Sequence, residues 1–307
     1  MNNHTLTHQI RGGRTSSLSR RMLSTIGMRL IFTCMLLSGS MPGMFLPGGN
    51  LAIAQTSPDF GPNVYIVDPS MPSATINATL ATLASYGQFD TRRSAVLFEP
   101  GTYTGIESEV GFYESITGLG ETPSAVNLSQ SFLESNELIN GNDTQTFWRS
   151  MENLEMTTPG SGKLQWGVSQ GTSLRRMLIN NPVELTDSGC NFSSGGFIAD
   201  SQVTGNVNSC SQQQWFTRNS VIGSWTGSVW NMVFAGVEGA PFSNYPSNAF
   251  TVLPTTPVSR EKPFLYVDQR GGYHVFVPTT MQNSSGTSWS RGFDEGYSLP
   301  IDDFFIA

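Results

Sequence analysis

The segment Ala95-Val96-Leu97-Phe98-Glu99-Pro100-Gly101-Thr102-Tyr103 constrains the fold more than any other. It reads as a short buried strand, carried by Val96 and Phe98, that is broken by Pro-Gly and followed by Thr-Tyr. Proline cannot donate to a strand ladder, and glycine allows a sharp change of direction. A second strand lies upstream, from Asn63 to Pro69, and one amphipathic helix runs between them from Ala74 to about Tyr86. Strand, helix, then strand with Pro-Gly-Thr-Tyr is the opening of a right-handed parallel β-helix. The fold class read here is therefore all-β: a single-stranded solenoid with an N-terminal capping helix.

Beyond that motif the chain becomes short apolar strands between polar and glycine turns. Segments starting at Phe147, Ser173, Phe197 and Trp215 align by eye, with offsets of 26, 24 and 18 residues. An irregular period near twenty suits β-helix coils better than a propeller blade or a sandwich. The alignment predicts one column made of Ser150, Arg176, Asp200 and Arg218. Asp200 would then sit between two arginines and be ionised. Cys190 and Cys210 are twenty residues apart, about one coil, so stacked coils would bring them within disulfide range. Arg260–Asp268 and the alternating Tyr273–Pro278 read as further strands, and Asp303-Phe304-Phe305-Ile306-Ala307 as an apolar end that would need a cap.

Residues 1–54 read as a signal peptide rather than as part of the folded domain, which is assigned to 55–307. Arg11, Arg14, Arg20, Arg21 and Arg29 have no acidic counterpart, Leu30–Leu37 is mostly apolar, and Ala52-Ile53-Ala54 is a small-x-small cleavage site. The apolar run is too short and too interrupted for a membrane anchor. The expected location is periplasmic or extracellular, in a bacterium. Ser19-Arg20-Arg21 faintly suggests the twin-arginine export route. Removing the leader leaves 11 basic against 23 acidic residues, a formal charge of −12. Such a surface repels phosphate backbones and anionic membranes.

One histidine, His274, remains in 55–307, which argues against a Ser-His-Asp triad and a histidine-rich zinc site. No cofactor or metal is implied. Any hydrolysis must use carboxylates, and Asp200, Glu238 and Glu261 are the catalytic candidates, with Asp268 a weaker one. Each has a plain alternative. Asp200 could belong to an ion ladder, Glu261 could pair with its neighbours Arg260 and Lys262, and Glu238 could be a solvated loop acid. A lyase would instead need a strong base, for which Arg175, Arg176 and Arg218 offer cations. For sugar binding, Gln212, Gln213, Gln214, Arg218, Trp225, Trp230 and Asn231 interleave aromatics with amides. Trp225, between Gly223 and Gly227, is expected at the surface; Trp148 and Trp215 are expected near the core.

Several motifs together resemble a family. They are Gly61–Ser70, Gly111-Phe112-Tyr113, Gly118-Leu119-Gly120, Asn191–Asp200, Gln212–Trp215 and Gly223–Gly227. They look like secreted bacterial pectate-lyase-like β-helix proteins related to family 55 glycoside hydrolases, the β-1,3-glucanases. Relatives of this kind are often labelled adenylyl cyclase, but the chain has no nucleotide-binding loop to support that. The resemblance implies a polysaccharide partner, a neutral glucan, and a groove between two β-helices of which this chain resembles the first. It also implies that the general acid lies on the second, on a further domain or chain. The leading expectation is glycoside hydrolysis by direct water attack, with Asp200 and the glutamines placing the water and Glu238 or a residue of the second helix as acid. The rivals are a non-catalytic carbohydrate-binding or cell-surface protein and a polysaccharide lyase.

Overall fold

Residues 58–291 and 295–304 are described by the computed structural model. Residues 1–57, on which the expected signal peptide falls, and residues 292–294 and 305–307 lie outside them. Nine parallel strands form the main sheet in strict chain order, from Val64–Val67 and Ser94–Phe98 to Asn231–Ala235 and Phe250–Leu253. Alternation explains the sheet. Val96, Ile116, Met151, Leu174, Ile198, Thr217 and Phe234 pair in register, one rung above another, and all are fully buried. Residues one position away point outward, as the pleat requires. A second parallel sheet faces the first across the core and includes Gly101–Thr104, Val126–Ser129, Glu155–Thr157 and Gln202–Asn208. A shorter parallel pair joins Glu107–Glu109 to Phe132–Glu134. Parallel neighbours without hairpins mean that each rung returns through the opposite sheet.

The helix spans Ser73–Ala84 and buries Ile76, Leu80 and Leu83, spaced four and three residues apart on one face. That face joins the main core cluster. Gly111 lets the helix end approach, since a Cβ there would lie 2.6 Å from Ala84 Cα.

The strands of the main sheet end in a column of left-handed residues. Asn153, Arg176, Asp200, Asn219 and Gly236 have φ of 56°, 49°, 50°, 45° and 64°. Each donates its backbone N–H to the next rung: to Arg175 O, Ala199 O, Arg218 O, Ala235 O and Leu253 O at 2.9–3.1 Å. The chain thus turns its corner without leaving a backbone donor unpaired.

This column corrects the expected one. Only Arg176 and Asp200 share it. Ser150 pairs with Ser173, and Arg218 pairs with Ala199. Coil length is the reason: Ser173 pairs with Ser150, three residues beyond Phe147, and Phe197 pairs with Phe216, one residue beyond Trp215. Cys190 and Cys210 form a disulfide with a Cα separation of 5.9 Å.

The C-terminal region departs from the parallel expectation. Thr256–Ser259 pairs antiparallel with Met281–Ser284, and Phe264–Val267, Tyr273–Pro278 and Gly296–Pro300 form an antiparallel sheet. This sheet packs back on the first rungs. Tyr273 and Ile301 cluster with Leu97 and Leu119, Val267 N–H donates to Leu119 O at 2.8 Å, and the Tyr273 hydroxyl donates to Glu99 at 2.9 Å.

Candidate functional site

A groove of about 680 Å³ lies on the outward face of the main sheet, across the strands Ser173–Arg175, Phe197–Ala199, Gln214–Arg218 and Asn231–Ala235. Its floor is aromatic. Phe197 and Phe216 are register partners, and their rings stack at 5.2 Å with planes 26° apart. Gly196 makes room beneath the floor for the buried Trp215 indole, which a Cβ there would meet at 2.5 Å. Amides and a hydroxyl from successive rungs line one side, namely Gln170, Ser194, Gln214 and Asn231. Gln170 Nε2 reaches Ser194 Oγ at 3.5 Å, and Gln214 Nε2 reaches Ser194 O at 3.5 Å. These contacts are long, so the amides keep donor capacity for a ligand. Trp148 packs over Gly171 at the rim, where a Cβ would come within 2.8 Å of its indole.

The groove stops where the C-terminal segment crosses the sheet. Three ion pairs close that end: Lys262–Glu152 at 2.6 Å, Arg218–Glu261 at 2.5 Å and Arg176–Asp200 at 3.3 Å. Arg175 also lies here, its guanidinium 4.6 Å above the Phe197 ring.

Of the residues singled out from sequence, Gln214 and Asn231 line the groove. Gln213 is half-buried beside them, and Trp230, 62% exposed, donates its backbone N–H to Gln213 O. Gln212 is fully buried. Its amide donates to Val168 O and Leu185 O and accepts from Gly195 N–H, so it braces the groove from beneath. Trp225 corrects the expectation of exposure. It is 8% exposed, packs edge-on against Phe234, and donates Nε1–H to Gly227 O. Gly223 lies within the strand Val221–Thr226, where a Cβ would meet Thr204 O at 2.6 Å, Gly227 makes the turn with φ of 79°, and the pleat points the indole inward. Trp148 corrects the opposite expectation: it is 42% exposed and stacks on Tyr113 at 4.9 Å.

The three carboxylate candidates stand apart from the groove's lining. Asp200 is 1% exposed and accepts from Ser288 N–H at 2.5 Å, Ser288 Oγ–H at 2.8 Å and Arg176. Burial pushes its carboxyl up to about 6, with Arg176 pulling the other way. The expected arginine on its other side, Arg218, is committed to Glu261. Such a carboxylate clamps the C-terminal segment and has no open path to a sugar. Glu261 is buried against Arg218 and Asn219 Nδ2 instead of pairing with Arg260 or Lys262. Glu238 is exposed on its loop, and its backbone pairs with Ser220 and Ile222. The weaker candidate Asp268 accepts from Gly272 and Arg270 N–H and contacts His274 at 3.1 Å, bonds that hold it below the usual carboxylate range. No cluster of three metal-ligating side chains occurs among the described residues.

No protein-family model matches the chain. Among characterised proteins, it is 46% identical over 250 residues to an exo-β-1,3-glucanase of Streptomyces sp. (strain SirexAA-E / ActE), across 81% of this chain and 41% of that protein. The similarity is to a glucanase. The solved structure of sacteLam55A from Streptomyces sp. SirexAA-E superposes with a TM-score of 0.76 at 45% identity, over 81% of this chain and 45% of that one. A variant of sacteLam55A in complex with glucose gives 0.77 at 46% identity, over 82% and 45%. The chain therefore spans less than half the length of these relatives.

Sequence reasoning missed the groove's floor. Phe197 and Phe216 each adjoin an inward residue, Ile198 and Trp215, so alternation alone places them outward. Their register, hidden by one variable coil, was needed to stack them.

Proposed function

We propose that this chain is an exported, family 55-related protein that holds a β-1,3-glucan in its groove for hydrolysis by direct water attack. The carrying observation is the stacked Phe197–Phe216 floor edged by Gln170, Ser194, Gln214 and Asn231. Sugar rings present C–H groups to apolar aromatic surface and hydroxyls to amides, and this ring pair exposes such a surface beside amides on successive rungs. The 46% identity to an exo-β-1,3-glucanase supports glucan as the polymer. The overall reading is a right-handed single-stranded solenoid, with the Ser73–Ala84 helix as its first cap.

Gln170, Gln214 and Ser194 are suited to orient a water, since each keeps a polar atom toward the groove. No carboxylate is among the residues that line it. The general acid, which must protonate the leaving oxygen, then comes from outside this lining. A second β-helix, on a further domain or chain, is the source we propose, because the relatives are more than twice as long as the matched region. The same absence favours a second reading, a binding module without turnover.

The test is isothermal titration of the full chain with soluble β-1,3-glucan, together with reducing-end release. Phe216→Ala should weaken binding about three- to tenfold, as loss of one aromatic contact implies. Binding without reducing ends identifies the module. No binding by the unaltered chain removes the reading.

A further inference from the structure

We infer that Arg175 makes the groove selective for a glucan ring that carries a carboxylate, as a glucuronate unit does. This rests on the proposed reading of the groove and narrows its ligand. Charge pairing around the floor is the starting point. Glu152, Arg176, Asp200, Arg218, Glu261 and Lys262 surround Arg175, and they resolve into three closed pairs. Glu152 is its register partner on the preceding rung and the natural counterion, but Lys262 reaches over from the C-terminal segment and takes it at 2.6 Å. Arg175 is left with no ion pair or hydrogen bond among the described residues, and its guanidinium lies over the Phe197 ring.

An unpaired, half-buried guanidinium is costly to keep. Burial lowers its pKa, the neighbouring carboxylates of Glu152, Glu261 and Asp200 pull the other way without bonding to it, Arg218 adds to the lowering, and arginine stays charged in proteins. The cost is met if a ligand supplies the anion. The lining agrees: Arg175 is its one charged residue, in a chain whose region 55–307 carries a formal charge of −12. A local positive site on an acidic protein directs an anion to that place and repels it elsewhere.

The geometry selects the kind of anion. The guanidinium lies over Phe197, and Phe197 stacks with Phe216. A sugar lying along the groove beside both rings would have its ring substituents next to the guanidinium, which lines the same groove. A carboxylate at C6 is planar and accepts two parallel N–H bonds from one guanidinium, whereas a hydroxymethyl group accepts at a single oxygen.

The probes are laminarihexaose and the same hexasaccharide oxidised at C6 to glucuronate units, titrated into the full chain at low and at high salt. The expected result is about tenfold tighter binding of the oxidised ligand at low salt, from one charge-assisted contact. That preference should shrink at high salt. In Arg175→Gln the ratio of the two affinities should collapse to about one, and Arg175→Lys should restore part of it as a point charge. Circular dichroism of each variant checks that the fold is kept. Equal binding of the two ligands by the unaltered chain, or an unchanged ratio in Arg175→Gln, overturns the inference while leaving glucan binding in place. If neither ligand binds, the groove reading and this inference fall together.

Discussion

Asp200 shows how one side chain can be conspicuous in sequence and structural in space. Its carboxyl is held by Ser288 and Arg176, and its backbone oxygen accepts from Trp289 Nε1–H at 2.7 Å. Burial raises its pKa to about 6, above the ordinary value of 3.8. A raised acid favours the protonated fold, so its contribution to stability is complete below about pH 4 and is lost as pH rises through about 6. The shift corresponds to on the order of 3 kcal/mol. Asp143 and Glu114 are raised for the same reason, to about 6 and about 7, so the unaltered chain alone cannot isolate Asp200. The expected outcome is that Asp200→Asn reduces the pH dependence of urea unfolding between pH 4 and 7. Asp200→Ala should cost about 3–5 kcal/mol at neutral pH by stranding Arg176. Identical pH slopes for the unaltered chain and Asp200→Asn would assign the dependence to the other carboxylates.

At the scale of the element, the corner column decides where every outward side chain goes. Its members take left-handed φ, which asparagine and glycine adopt readily and arginine does not. Arg176 tolerates it because its side chain is anchored at Asn153, Asp200 and Glu121 O. Gly236 is the strictest position. With φ of 64°, an added Cβ would lie 2.5 Å from Ser284 O and 2.6 Å from Asn219 Oδ1. A backbone oxygen cannot yield as a flexible side chain can. Gly236→Ala should therefore lose about 1–3 kcal/mol in chemical denaturation; a change below a few tenths would show that the corner can relax. The inward face of each strand was legible, because Val96, Met151 and Ile198 sit in alternating runs. The stacking of one strand on the next was not, since coil length varies and a one-residue slip changes every neighbour.

Across the whole molecule, two devices join distant parts: the Cys190–Cys210 bridge between coils, and the C-terminal antiparallel sheet that runs back to Leu97 and Leu119. Reducing the bridge frees a loop of about twenty residues in the unfolded chain and should lower stability by about 3 kcal/mol. Denaturation midpoints with and without reductant measure it, and coincident midpoints would leave the bridge without stabilising effect. What the amino-acid order determined by itself was local: which residues alternate, where Pro-Gly stops a strand, where a helix fits between two strands, and that the two cysteines lie about one coil apart. These follow from backbone geometry and side-chain periodicity over a few residues. Only the tertiary structure decided that Trp225 faces inward, that Asp200 is covered by Ser288, and that Lys262 takes Glu152 from Arg175. Those outcomes depend on register and on partners 88 and 110 residues away, and no short-range pattern encodes the distance between groups that meet only when the chain has folded.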